Sequence, residues 1–202
     1  MNLDETIAFF FTPPARITEL GTFSSLSMLR REAKDCLIGK VIDEDAVMEE
    51  AVRGEHRLFA TLMVVAAGVD LLAKFYAGSD DIGGVGGRIK SFAARYIFAG
   101  AKNPTRSAEI LYQGIRNPLL HSFTLYDRNL EIWLVNRQPG FDIIENPQKP
   151  GNVLISVEGV YLAFLRGLKA YQAELVGSED LRSKFETMYE RYGTTGFGAM
   201  PE

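Results

Sequence analysis

Cysteine, histidine and tryptophan are scarce in this chain of 202 residues, which has one Cys, two His and one Trp. A lone cysteine, Cys36, excludes an internal disulfide framework. One cysteine and two histidines are too few for the usual structural zinc ligands, so no metal is expected, and no cofactor. Low cysteine usage fits a reducing cytoplasm. Long apolar runs are missing as well. The most apolar stretch, "LFATLMVVAAGVDLLA" (58–73), holds 16 residues between Arg57 and Lys74 and contains Asp70. A bilayer span needs about 20, so a buried core helix is expected. The opening "MNLDETIAFFFTPPARI" has acidic residues where a secretion signal needs basic ones, and no signal is read there. No repeat and no low-complexity tract is visible.

Net positive charge is also absent. The chain carries −4 overall, which speaks against binding nucleic acid through bulk charge. The charge is unevenly spread. Residues 88–128 hold seven Arg and Lys against Glu109 and Asp127, a surplus of +5 that leaves −9 for the remainder. Hydrophobic residues at 47% and charged residues at 24% are ordinary for a globular domain. One domain over 1–202 can bury a core of useful size.

Periodicity predicts a mainly α fold, a helical bundle with a small antiparallel β-hairpin or sheet insertion. Residues 1–23, with Pro13-Pro14 and Gly21, read as an irregular arm. Helices are predicted over 24–39, over 43–78 as one helix or two joined near Gly54, and over 88–98, 104–122, 158–177 and 178–193. The β insertion is placed at 123–157. There "FTLYD" and "LEIWLVN" flank Arg128-Asn129 as a hairpin, and "FDIIEN" and "NVLISV" flank "PQKPG". Residues 194–202 read as a flexible tail. Strands between helices without βαβ alternation exclude a doubly wound fold. "GGVGG" (83–87) lacks both G-x-G-x-x-G spacing and a following Lys-Ser/Thr, so it reads as a connection and not a phosphate loop. Cys36 is expected to be a small buried hydrophobe, Trp133 a core or interface residue, and His56 a surface or helix-junction residue. Asp70, a carboxylate in an apolar run, needs a partner: Arg116, Lys74 or a helix N-terminus.

The stretch "IRNPLLHSF" (115–123) places Arg-Asn-Pro inside a helix, with His121 five residues after Arg116. An interior proline removes a hydrogen bond and clashes with the carbonyl four residues back, at roughly 3 kcal/mol. It also pushes its predecessor, Asn117, out of helical geometry. The helix is therefore expected to kink or restart, with Asn117 as cap and Pro118 as first residue. Residues five apart lie about 140° apart on a straight helix. A break would let a guanidinium and an imidazole converge. Otherwise the helix ends near Ser122 and both residues are capping or solvated. A hydrolase using Ser122 and His121 fits poorly, because adjacent helical residues do not face each other.

"RNPLLH" resembles the Arg-x4-6-His motif of the HEPN superfamily (higher eukaryotes and prokaryotes nucleotide-binding), which often has Asn after the Arg. The order "GVDLLAKFYAG", a Gly-rich loop, "RIKSFAARY", then "LYQGIRNPLLHS" is similar to that of uncharacterised bacterial HEPN-like proteins. Pro118 and the β segment depart from the minimal bundle. The resemblance implies an all-helical bundle, a homodimer, and RNA or a nucleotide as ligand. It implies a metal-independent endoribonuclease, in some members a toxin or defence effector opposed by an antitoxin protein, in others a noncatalytic binding or assembly module. Carried onto this chain, it implies Arg116, Asn117 and His121 as catalytic residues. Tyr112, Ser122, Arg95 and Lys102 would contact substrate, and Asp70 would support them. His121 would move a proton at a ribose 2′-OH or a leaving oxygen, and Arg116 would grip the phosphate.

Overall fold

A computed structural model describes residues 1–13, 21–38, 58–125, 127–135 and 142–197. The Gly54 junction, the acidic run 43–50 and His56 lie outside the described residues. Helix α1 (Leu3–Phe10) stands where an irregular arm was expected over 1–23, of which residues 14–20 lie outside the described ones. Asn2 and Glu5 form a reciprocal cap: the Asn2 side chain accepts from the Glu5 N–H at 2.9 Å, and Glu5 accepts from the Asn2 N–H at 2.8 Å. Behind the cap, Ile7, Phe10 and Phe11 are buried. The Phe10 ring lies tilted against Phe75 at 4.6 Å and edge-on to Phe185 at 5.3 Å. Two side chains of this eight-residue helix, with the Phe11 that follows it, bury enough apolar surface to hold it to the bundle.

Strand β1 (Gly21–Ser24) leads into α2 (Ser25–Ile38), and α3 (Leu58–Ala77) is the central helix. By length and composition α3 could cross a membrane; half of its most apolar window is buried inside the bundle. Its buried face includes Leu62, Val65, Val69, Leu72 and Phe75. Helix α4 (Val85–Phe92) continues into a π-turn, Ala93–Ile97. Helix α5 (Pro104–Ile110) continues through a second π-turn, Leu111–Arg116, into α6 (Asn117–Ser122).

The insertion is a three-stranded sheet of β2 (Glu131–Val135), β3 (Ile143–Glu145) and β4 (Asn152–Ser156), in the order β2-β4-β3. β3 and β4 are antiparallel across the turn that holds "PQKPG", but β2 runs parallel to β4. The expected hairpin around Arg128-Asn129 is reduced to a single bridge, Asp127 to Leu130. The sheet is mixed, not antiparallel. Its inner face buries Ile143, Val153 and Ile155. Its outer face carries the cross-strand row Trp133–Leu154–Ile144, and Trp133 is 56% exposed rather than in the core.

Helices α7 (Val157–Gly177) and α8 (Glu179–Tyr192) close the bundle, each opened by a serine cap, Ser156 and Ser178. Strand β5 (Thr194–Phe197) then pairs antiparallel with β1, so residues 194–197 of the expected tail are ordered. Cys36 is half-buried.

Candidate functional site

The helical run 104–122 presents the motif. Asn103 caps it, accepting from the Arg106 N–H at 3.1 Å, and Pro104 takes the first position. Asn117 does not leave helical geometry: its φ is −65° and ψ −54°. The strain of Pro118 is absorbed one turn earlier. The Asn117 N–H reaches back five residues to the Tyr112 carbonyl, widening the turn. That widening relieves the clash of the proline ring with the Gly114 carbonyl. The expected cap and restart at Asn117 is thus replaced by a π-turn. The run ends at Phe123, whose φ of 53° is left-handed. The Phe123 N–H donates to the Leu119 carbonyl at 3.1 Å and the Thr124 N–H to the Pro118 carbonyl at 3.3 Å.

The position of the π-turn decides the geometry. It ends at Arg116, and from Asn117 to Ser122 the helix is regular. Arg116 and His121 therefore keep roughly the 140° offset of an ordinary helix. Arg116 turns toward α3, while His121 is exposed and makes no hydrogen bond or ion pair with the described residues. A single chain does not bring the two together, and the convergence expected from the break does not occur.

The structure does unite Arg116 with Asp70. The guanidinium Nη2 donates to Asp70 Oδ2 at 2.8 Å, and Nη1 donates to Asn117 Oδ1 at 3.1 Å. A second arginine, Arg88, stands with Nη2 at 3.6 Å from Asp70 Oδ1 and donates through Nη1 to the Asp81 carbonyl at 2.5 Å. The three side chains are 15% (Asp70), 15% (Arg116) and 7% (Arg88) exposed. Two cations share one carboxylate. Asp70 Oδ1 and the Nε atoms of both arginines are buried without a hydrogen-bond partner among the described residues.

The remaining candidates are dispersed. Tyr112 is half-buried against Gly86, with Lys90 Nζ 5.9 Å from its ring centroid. Ser122 and Lys102 are exposed. Arg95 belongs to another cluster: it donates to Glu174 at 2.6 Å and to the Tyr96 hydroxyl at 3.1 Å. Burial first, and the Glu174 carboxylate second, push the Tyr96 phenol up to about 12, and the Arg95 hydrogen bond holds Glu174 below its usual range. Lys74 does not pair with Asp70; its ammonium lies 4.4 Å from the Tyr192 ring centroid.

Sequence reasoning missed Arg88. It sits in "RIKSFAARY", beside the buried Ile89, and reads as one more charge on a solvated face. The signal was Asp70 itself: a carboxylate inside an apolar helix attracts whatever cations the neighbouring helices offer. No family model, curated protein or solved structure matches this chain.

Proposed function

We propose that this protein is an RNA-binding, metal-independent endoribonuclease of the HEPN type that works in the cytoplasm as a homodimer, as a toxin or defence effector. The observation that carries the reading is that Arg116 and Asn117 are held as one unit while His121, five residues on, is exposed and makes no hydrogen bond or ion pair among the described residues. The reaction needs little else. The imidazole of His121 takes the proton of a ribose 2′-OH. The 2′-oxygen then bonds to phosphorus, the bond to the 5′-oxygen breaks, and that oxygen takes up a proton. Arg116 grips the phosphate and offsets charge that builds on it.

Because the two side chains diverge in one chain, the working site draws its imidazole and guanidinium from different copies. The surface around His121 suits that role. Leu120 is 37% exposed and Phe123 62%, and Phe59 stacks on Phe123 at 5.7 Å. Apolar side chains left in water beside a histidine favour burial against a second copy. In a toxin, an antitoxin protein would cover the same face.

A second reading is favoured by one observation. Arg116 is neutralised by Asp70 and mostly buried, which fits a noncatalytic nucleotide-binding or assembly module. RNA cleavage in EDTA by the purified full chain separates the two. The ribonuclease reading expects cleavage that EDTA leaves intact and that His121→Ala lowers on the order of 10²–10⁴-fold, with the circular dichroism spectrum unchanged. A dimer that binds RNA or nucleotide, leaves varied RNAs uncut and is indifferent to His121→Ala would establish the module instead.

A further inference from the structure

Buried charges in folded proteins are ordinarily matched one for one. The Asp70 cluster is not. Arg88 and Arg116 are two guanidiniums on one carboxylate, and Arg88 is the more deeply buried, with a side chain 7% exposed. Its separation from Asp70 Oδ1, 3.6 Å, is too long for a hydrogen bond. Both Nε–H donors point at no acceptor. The nearby Asp80 carboxylate is engaged elsewhere, by Arg191 at 2.9 Å and the Tyr192 hydroxyl at 2.8 Å. Asp81, whose carbonyl Arg88 binds, has its carboxylate turned to the Gly83 N–H at 3.3 Å. The cluster therefore holds two guanidiniums on the one carboxylate of Asp70, with both Nε–H donors and Asp70 Oδ1 left without partners among the described residues.

We propose that Arg88 and Arg116 form one phosphate-binding site, with Asp70 holding both guanidiniums and Arg88 supplying the second cation. A tetrahedral oxyanion matches the deficit. It brings negative charge and several acceptor oxygens, and planar guanidiniums bind phosphate through paired N–H groups. Asp70 is the positioning residue, because it fixes Arg116 from α3 and draws Arg88 from α4 toward the same point. Access runs past Arg116, the more exposed of the two arginines, and past the Gly-rich turn before Arg88. In that turn Ile82 is 88% exposed, and in the first turn of α4 Gly87 faces open space. The site rests on the RNA reading for its natural ligand, an internal phosphodiester or a terminal phosphate of a strand.

Thermal unfolding of the full chain in inorganic phosphate, against chloride and acetate at equal ionic strength, tests the site. The expected result is a saturable rise of Tm in phosphate alone, with half-saturation weakened about tenfold by Arg88→Gln (one hydrogen-bonded charge lost) and unchanged by Lys149→Gln, which alters an exposed pair with Glu131. Equal effects of phosphate and chloride, equal effects of phosphate and acetate, or an Arg88→Gln curve that overlays the wild type would overturn the proposal. Should Arg88→Gln fail to fold, the wild type supplies the readout. Two arginine Nε–H resonances are expected to shift with the same half-saturation as the Tm; no shift at any arginine Nε–H refutes the site. Two short RNAs, one with a 5′-phosphate and one without, then compete against phosphate. Displacement by both assigns the site to internal phosphodiesters and by the phosphorylated one alone to strand ends, and displacement by neither counts against it. The ribonuclease reading fails separately. Uncut RNA with an intact phosphate response removes catalysis and leaves the site, whereas EDTA-resistant cleavage without a phosphate response does the reverse.

Discussion

Asp70 holds two neighbouring elements through its carboxylate, one by a direct hydrogen bond and one across a longer gap. Removing one partner of a buried ion pair leaves the other charge uncompensated, which typically costs 3–5 kcal/mol. Asp70→Ala is expected to lower the unfolding free energy by about 3 kcal/mol in urea titration. A loss under about 0.5 kcal/mol would mean that water already satisfies both arginines. Glu145 is paired more completely than Asp70. Arg106 holds it bidentately at 2.7 and 2.9 Å, and it also accepts from the Gly151 N–H at 2.8 Å. The Arg106 hydrogen bonds bring its carboxyl down to about 2 from an ordinary 4.5. A depressed carboxyl stabilises the fold above its unfolded pKa, and that contribution drains away as pH falls from 4.5 through 2. Thermal melts between pH 5 and pH 2.5 should show a decline that Arg106→Gln, already less stable at pH 5, flattens. Parallel curves for the two proteins would remove the pair from the acid response.

At the scale of elements, the motif helix and the sheet meet through a missing side chain. A Cβ on Gly114 would stand 2.7 Å from Ile132 Cδ1 and 3.0 Å from Leu130 Cδ1. Gly114→Ala should therefore cost about 1–3 kcal/mol by overpacking, read as a lower midpoint in denaturant with the slope unchanged. The run 104–122 was legible because Asn103-Pro104 marks its start and its apolar residues repeat at helical spacing. The π-turn inside it was not, because local sequence names the proline's cost but not where the backbone takes it up. Helix α1 carried its own signal in Asn2 and Glu5, which the two prolines that follow obscured. The β3–β4 turn announced itself through "PQKPG". The parallel partner of β2 did not, since a parallel register depends on a crossover and leaves no turn residues between the paired strands. Asp70 with Arg116 was legible from charge in an apolar run. Arg88 was not, because a helix face that mixes Arg and Lys with apolar residues does not say which cation turns inward.

At the scale of the whole molecule, the bundle is organised around α3, with the motif helix on one side and the first and last elements meeting on another. Phe10 of α1 lies against Phe185 of α8, Asp4 accepts from Arg182 at 2.6 Å, and Gly21 to Ser24 register with Phe197 to Thr194. These contacts join residues more than 160 positions apart. Contacts of such sequence separation are slow to form, because a long loop must close before any of them gains stability.

During synthesis, Phe10 can meet Phe75 once α3 has emerged, but Tyr171 of α7, which lies against Phe11, and Phe185 and Tyr189 of α8, which lie against Phe10, come about a hundred residues later. Until then Ile7, Phe10 and Phe11, all buried in the finished bundle, are only partly covered. Helix α8 then brings Phe185 and Tyr189 against Phe10, and β5 closes on β1.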